Sequence, residues 1–307
     1  ERTEPPHVRA ELVADTASVR PGTPFTVAVR LRHDPEWHTY WKNAGDAGIP
    51  TTAEWRLPPG FTAGPFRWPV PERIGDEDVL NYGYGGEALL LTDIVPPEKI
   101  TAARITLSVR LKWLECKDVC LPGGADAALT LPVSRHSTPP DAATDALFAD
   151  ARARLPLPPG TRSVRAGTKD GHLWLLFPAS AGEGPFDFFP DDQAAYGGLK
   201  GRREERRGEE VLLTFNVPAD ARTGKTLTGV VRLPTTGRGF SIDTPIETGP
   251  PPDGGAGTGL GLALLLAFAG GLLLTLMPCV LPVISLKILG FLRQAQGDPA
   301  AARRHGI

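Results

Sequence analysis

Apolar and polar residues alternate strictly in two segments of the chain. Phe25, Val27, Val29 and Leu31 interleave with Thr26, Ala28, Arg30 and Arg32. Ile105, Leu107, Val109, Leu111 and Trp113 interleave with Thr106, Ser108, Arg110 and Lys112. A period of two with one apolar and one polar face predicts half-buried antiparallel strands. Residues 8–13, 89–94 and 129–133 read as further strands, and proline pairs such as Pro58-Pro59 and Pro96-Pro97 mark the turns between them. Several short strands within residues 1–135 predict a β-sandwich.

The period changes between 141 and 155, where Leu147, Ala151 and Leu155 recur at helical spacing. Asp141 stands in the N-cap position, and Pro156 with Pro158-Pro159 closes the helix. It lies in a linker over 136–160. A second strand set at 173–177, 211–217 and 227–233 predicts a smaller β-sandwich-like domain over 161–248. The run 202–210 carries both signs of charge and reads as a solvated hairpin tip. Residues 249–258, rich in glycine and proline, form a flexible linker.

From 259 the pattern turns uniformly apolar. Residues 260–286 carry no charge, and a membrane-spanning helix needs roughly 20 apolar residues. Residues 259–292 therefore predict a transmembrane helix, the start of a truncated membrane domain, with 293–307 as a cytoplasmic loop. Arg293, Arg303 and Arg304 oppose a single Asp298 beyond the span, while Asp243, Glu247 and Asp253 precede it. That asymmetry predicts a cytoplasmic C-terminal end and an extracytoplasmic N-terminal region.

Composition adds little that the pattern has not shown. The net charge of -2 provides no electrostatic reason to expect nucleic acid. Gly 35 and Pro 32 fit turn-punctuated β structure. The chain starts at Glu1 without a basic and apolar leader, and its single Met is Met277. It reads as processed or trimmed, a fragment of a longer membrane protein.

Three cysteines fall in two settings. Cys116 and Cys120 form a close pair in WLECKDVCLPGG, and Cys279 lies in the apolar TLMPCVLPV. A redox pair, a structural disulfide and a metal site are the alternatives for the first two. Closing a ring of about five residues contributes only about 2 kcal/mol, so stability alone is a weak reason for it. A small ring is easily strained and hence more reducible. Lys117 can stabilise a nearby thiolate, and Asp118 opposes it. A metal site needs further ligands, and no second close cysteine pair or neighbouring histidine pair is visible. Cys279 stands between Pro278 and Pro282, whose freed backbone groups are tolerated in a bilayer only against protein or water. That opening would expose the thiol; otherwise it is a small apolar residue in a span.

Two further segments carry candidate chemistry. Residues 37–43 (WHTYWKN) read mostly as an ordinary core strand, with His38 as a structural hydrogen bonder, or as a binding surface. Residues 81–86 (NYGYGG) read as a mobile glycine-rich turn whose tyrosines can cover something reactive.

WHTYWKNAGDAGIPT at 37–51, the NYGYGG loop, WLECKDVCLPG and MPCVLPV together resemble the DsbD/ScsB family of thiol:disulfide interchange proteins. The resemblance implies an immunoglobulin-like N-terminal redox domain over 1–135, exposed to the periplasm with the rest of residues 1–258 and anchored in a bacterial inner membrane. It implies protein-disulfide reductase activity, with Cys116 and Cys120 as the catalytic pair and Cys279 as the first membrane-domain cysteine. Tyr82 and Tyr84 match an aromatic cap loop that shields the pair. Electrons would pass from cytoplasmic thioredoxin, through the membrane domain, to thioredoxin-like periplasmic proteins, with cytochrome c biogenesis among the implied roles. No cofactor or metal beyond the redox-active cysteines is implied. The short spacing of the pair and the second β domain look more like the ScsB-type branch. A membrane-tethered, non-enzymatic module binding copper through Cys116, Cys120 and a histidine is the alternative. An adhesive domain with a stapled loop is a third reading.

Overall fold

The alternating segments pair as their pattern requires. A computed structural model of the chain describes residues 6–160, 162–182, 184–217, 224–234, 236–252 and 265–271. Ten strands come first: β1 (Val8–Ala14), β2 (Phe25–His33), β3 (His38–Gly45), β4 (Thr52–Arg56), β5 (Thr62–Ala63), β6 (Glu72–Gly75), β7 (Leu80–Gly85), β8 (Glu87–Val95), β9 (Arg104–Cys116) and β10 (Cys120–Pro132). One sheet has the order β1-β2-β8-β5, and the other has β10-β9-β3-β7-β6 with β4 also on β9. Together they form an immunoglobulin-like sandwich. Val27, Val29 and Leu31 from the first sheet meet Leu107, Val109, Leu111 and Trp113 from the second in its core.

Helix α1 (Ala142–Ala153) starts where Asp141 accepts a hydrogen bond from the Thr144 amide at 2.8 Å. It buries Phe148 and Ala151 against Ala28, Leu89 and Leu91, the outer face of the four-stranded sheet. The other seven strands are β11 (Arg165–Lys169), β12 (His172–Pro178), β13 (Asp187–Pro190), β14 (Lys200–Arg207), β15 (Glu210–Asn216), β16 (Thr226–Arg232) and β17 (Gly239–Thr248), with the short helix α2 (Gln193–Tyr196) after β13. They hydrogen-bond in one continuous order, β13-β16-β17-β11-β12-β15-β14. Phe188 of β13 nevertheless reaches Phe215 of β15 with ring centres 6.3 Å apart. The sheet thus folds back over a core of its own.

Two expectations change here. The charged run 202–210 is mostly strand β14, with only a tight turn at its end. It is the last strand in the sheet order, and charged side chains on an edge discourage pairing with another chain. Residues 81–85 of the NYGYGG segment lie in strand β7, held between β3 and β6, with Gly86 at the turn into β8, rather than in a loop. The two β regions pack into one compact unit over 1–253. Phe189 and Val230 of the second region sit in the core of the first.

Residues 265–271 are helical. Among the described residues, no helix is long and apolar enough to cross a membrane. The expected span over 259–292 lies outside the described residues except for that stretch, and Cys279 lies outside them entirely.

Candidate redox-active site

Strands β9 and β10 form a hairpin whose antiparallel register places Cys120 directly opposite Cys116. Only Lys117, Asp118 and Val119 separate them. The two cysteines form a disulfide, with Cα atoms 4.2 Å apart. Their environments differ sharply. Cys116 is buried at 2 % exposure, packed with Tyr40 and Ala44, while Cys120 is exposed.

Strand parity decides which neighbours reach the sulfurs. On β3, Trp41 points into the sandwich core, and Tyr40 points the other way. The Tyr40 hydroxyl donates to Cys116 Sγ at 2.9 Å and lies 3.7 Å from Cys120 Sγ. Burial raises the Tyr40 pKa, so the hydroxyl keeps its proton. His38 pairs in register with Cys116 and meets the Tyr40 ring edge-on at 5.3 Å. Its Nε2 is buried with no hydrogen-bond partner among the described residues. Burial, and then the neighbouring His33, lower its pKa and favour the neutral ring. Next to Cys116, the fully buried Glu115 accepts from Trp113 Nε1 at 2.9 Å and from the His7 amide at 3.2 Å.

The disulfide lines an open cavity of about 510 Å³, with the β6–β7 turn as its opposite wall. In that turn Asp76 Oδ1 accepts from the amides of Asp78 (2.9 Å) and Val79 (3.1 Å). Those backbone bonds lower the Asp76 pKa. Glu36, Asp78 and Asp118 add carboxylates to the rim, and Lys117 adds a cation. Lys117 does not turn to the sulfurs as a thiolate partner: its ammonium is paired with Glu36. Val79 and Val119 remain exposed, at 50 % and 60 %.

The structure brings Cys116 and Cys120 together, but it does not place Tyr82 and Tyr84 over them. On β7, Leu80, Tyr82 and Tyr84 share one face and enter the sandwich core. The hydroxyl of Tyr84 donates to Pro69 O at 2.8 Å, and that of Tyr82 accepts from the Leu199 amide at 2.7 Å. The residues facing the disulfide are instead Asn81, on the opposite parity, and the turn at 76–79. Tyr40 is the contact that sequence reasoning missed, although its parity with His38 and against Trp41 was the available signal. Among the described residues, no group of three or more His, Cys, Asp or Glu side chains is placed to hold a metal ion.

Residues 9–132 match the protein-family profile described as "Thiol:disulfide interchange protein DsbD, N-terminal". The first sandwich thus carries the sequence profile of a DsbD-type N-terminal domain. Among solved structures, the N-terminal periplasmic domain of ScsB from Proteus mirabilis aligns over 81 % of this chain and 97 % of its own, at 20 % identity and a TM-score of 0.61. That likeness extends the shared fold beyond the DsbD-type domain into the second β region. The N-terminal domain of DsbD from Neisseria meningitidis, in the reduced form, aligns over 42 % of this chain and 90 % of its own, at 18 % identity and a TM-score of 0.25. No curated protein matches the chain in sequence.

Proposed function

We propose that Cys116–Cys120 is the exchanging disulfide of a periplasmic dithiol relay, part of a membrane thiol:disulfide interchange protein with protein-disulfide reductase activity. The observation that carries this reading is the asymmetry of the two sulfurs: Cys120 exposed, Cys116 buried under the Tyr40 hydroxyl. The DsbD-type profile of the first sandwich supports a general role in thiol:disulfide interchange.

The chemistry follows from which sulfur can be reached. A partner thiolate attacks Cys120 Sγ, the disulfide breaks, and a mixed disulfide forms. Cys116 departs as a thiolate, to which Tyr40 donates a hydrogen bond, and then takes a proton from solvent. The partner's second thiolate attacks the partner sulfur of the mixed disulfide and releases Cys120. Two electrons have entered the pair, and the partner leaves oxidised. In the onward direction, the Cys120 thiolate attacks a client disulfide and Cys116 resolves the mixed species. Charge-assisted hydrogen bonds are about twice as strong as neutral ones, so Tyr40 holds the thiolate better than the disulfide.

In this reading a membrane domain begins within 259–292, residues 1–258 lie in the periplasm, and thioredoxin-like proteins are the clients. Cytoplasmic thioredoxin is the ultimate donor, and Cys279 is the membrane-side cysteine that pairs reversibly with a second one. Redox titration of the full chain with thiol trapping tests the relay. Equilibration of Cys116–Cys120 with glutathione or thioredoxin supports it. A pair that stays oxidised under strong reductant marks a structural staple, and stoichiometric copper uptake by the reduced protein marks the metal-binding alternative.

A further inference from the structure

The turn at 76–79 is anchored from outside the first sandwich. Lys200, at the start of β14, donates through Nζ to Asp78 O at 2.6 Å, and the Gly201 amide donates to Glu77 Oε2 at 2.9 Å. Lys200 Nζ also lies 3.0 Å from Asp46 Oδ2. The Asp46 carboxylate accepts from the Leu80 amide at 2.9 Å and from the Gly198 amide at 3.0 Å. One residue earlier than Lys200, the Leu199 amide donates to Tyr82. At Gly198 a β-carbon would collide with the Leu80 carbonyl and crowd Asp46, so the close approach needs glycine there. Residues 198–201 of the second β region thus run along the turn and the start of β7, bonded at each step.

We infer that residues 198–201 form a strap by which the second β region holds the 76–79 turn as a preformed docking wall beside Cys120, with Lys200 and Asp46 as positioning residues. This rests on the relay reading above. The turn does not seal the site, because Cys120 is exposed with the turn in place. It presents Val79 across the cavity from the hairpin tip that presents Val119. A partner protein must meet both walls to bring its cysteine to Cys120, whereas a small thiol needs neither. Holding a docking wall in its bound position removes an ordering cost from association. That advantage belongs to protein partners alone.

The test compares two reductants on the full chain, dithiothreitol and reduced thioredoxin, by their second-order rates with Cys116–Cys120. Lys200→Ala is expected to slow thioredoxin about five- to tenfold through lost preorganisation, with the dithiothreitol rate within about twofold. Glu77→Ala, which removes a tether from the solvent side of the turn, is expected to act in the same direction, and Lys200→Arg to recover part of the rate. Unchanged thioredoxin rates in both alanine variants would overturn the strap. So would equal slowing with both reductants, or acceleration with either, which would make the turn a cover. A wild-type disulfide that reacts with dithiothreitol but never with thioredoxin would remove the relay reading, and the strap with it.

Discussion

The two faces of the six-stranded sheet use tyrosine in opposite ways. On the core face, Tyr82 and Tyr84 are packed among Trp41, Leu80 and Phe189, with hydroxyls bonded to backbone groups. On the other face, the Tyr40 hydroxyl touches a sulfur. Burial raises the pKa of all three. The chemistry of the ring is therefore the same on both sides, and strand parity separates a packing residue from one that can act on a leaving thiolate.

Substitutions that remove one face at a time break this comparison. The largest effect is expected at the pair itself: Cys116→Ala or Cys120→Ala abolishes disulfide exchange with thioredoxin. The five-residue ring contributes only about 2 kcal/mol, so melting should fall by a few degrees. A collapse of the fold with exchange persisting by another route would make the pair structural. On the core face, Tyr82→Ala removes a fully buried ring and should cost about 3–5 kcal/mol in denaturant unfolding.

Subtler changes sharpen the contrast. Tyr40→Phe should slow exchange about tenfold or more, because a hydrogen bond to a charged group contributes about 1.5–3 kcal/mol. Its stability should hardly change. Tyr82→Phe should do the reverse, costing about 1–3 kcal/mol by leaving the Leu199 amide unpaired while the rate with dithiothreitol, which does not need the strap, stays put. Equal dithiothreitol rates for the two phenylalanine variants would remove Tyr40 from the mechanism.

The smallest effect concerns pH. Burial lowers the pKa of His33 and of His38, against a backbone hydrogen bond to Gly86 and the charge of Glu115 in the case of His33. The unfolded chain then binds protons before the folded one does. The stability from keeping these rings neutral is complete above about pH 6.5 and declines as pH falls towards their lowered folded values. Denaturant titrations should show that slope in wild type and a shallower one in His38→Asn. Carboxylates held down by hydrogen bonds, such as Asp76, act in a separate window below about pH 4.

Much of the first sandwich was legible because alternation is local. Residues 105–113 and 25–31 carry the sheet period in their own order, and Asp141 announces the helix it caps. The cysteine pair was legible for the same reason, with three residues between the two across one turn. The reading of 81–86 failed because glycine signals a turn only when the chain is free to use it as one. At Gly83 a β-carbon would collide with the Thr39 carbonyl, so that glycine admits a neighbouring strand. The remaining misses are contacts of long range. Tyr40 meets a sulfur 76 residues away, and Lys200 meets a turn 122 residues away. No pattern within a short window encodes such meetings.

Phe189 belongs by sequence to the second β region and by packing to the first, where it meets Trp41 and Tyr82 edge-on with ring centres 6.2 and 5.1 Å apart. Synthesis from the N-terminus completes the whole first sandwich well before Phe189 arrives. Until then Trp41 and Tyr82 lack that neighbour, and the wall beside Cys120 lacks its anchor. Arrival of the second region completes the core and the partner-facing wall together, which ties the onset of selective exchange to the end of folding.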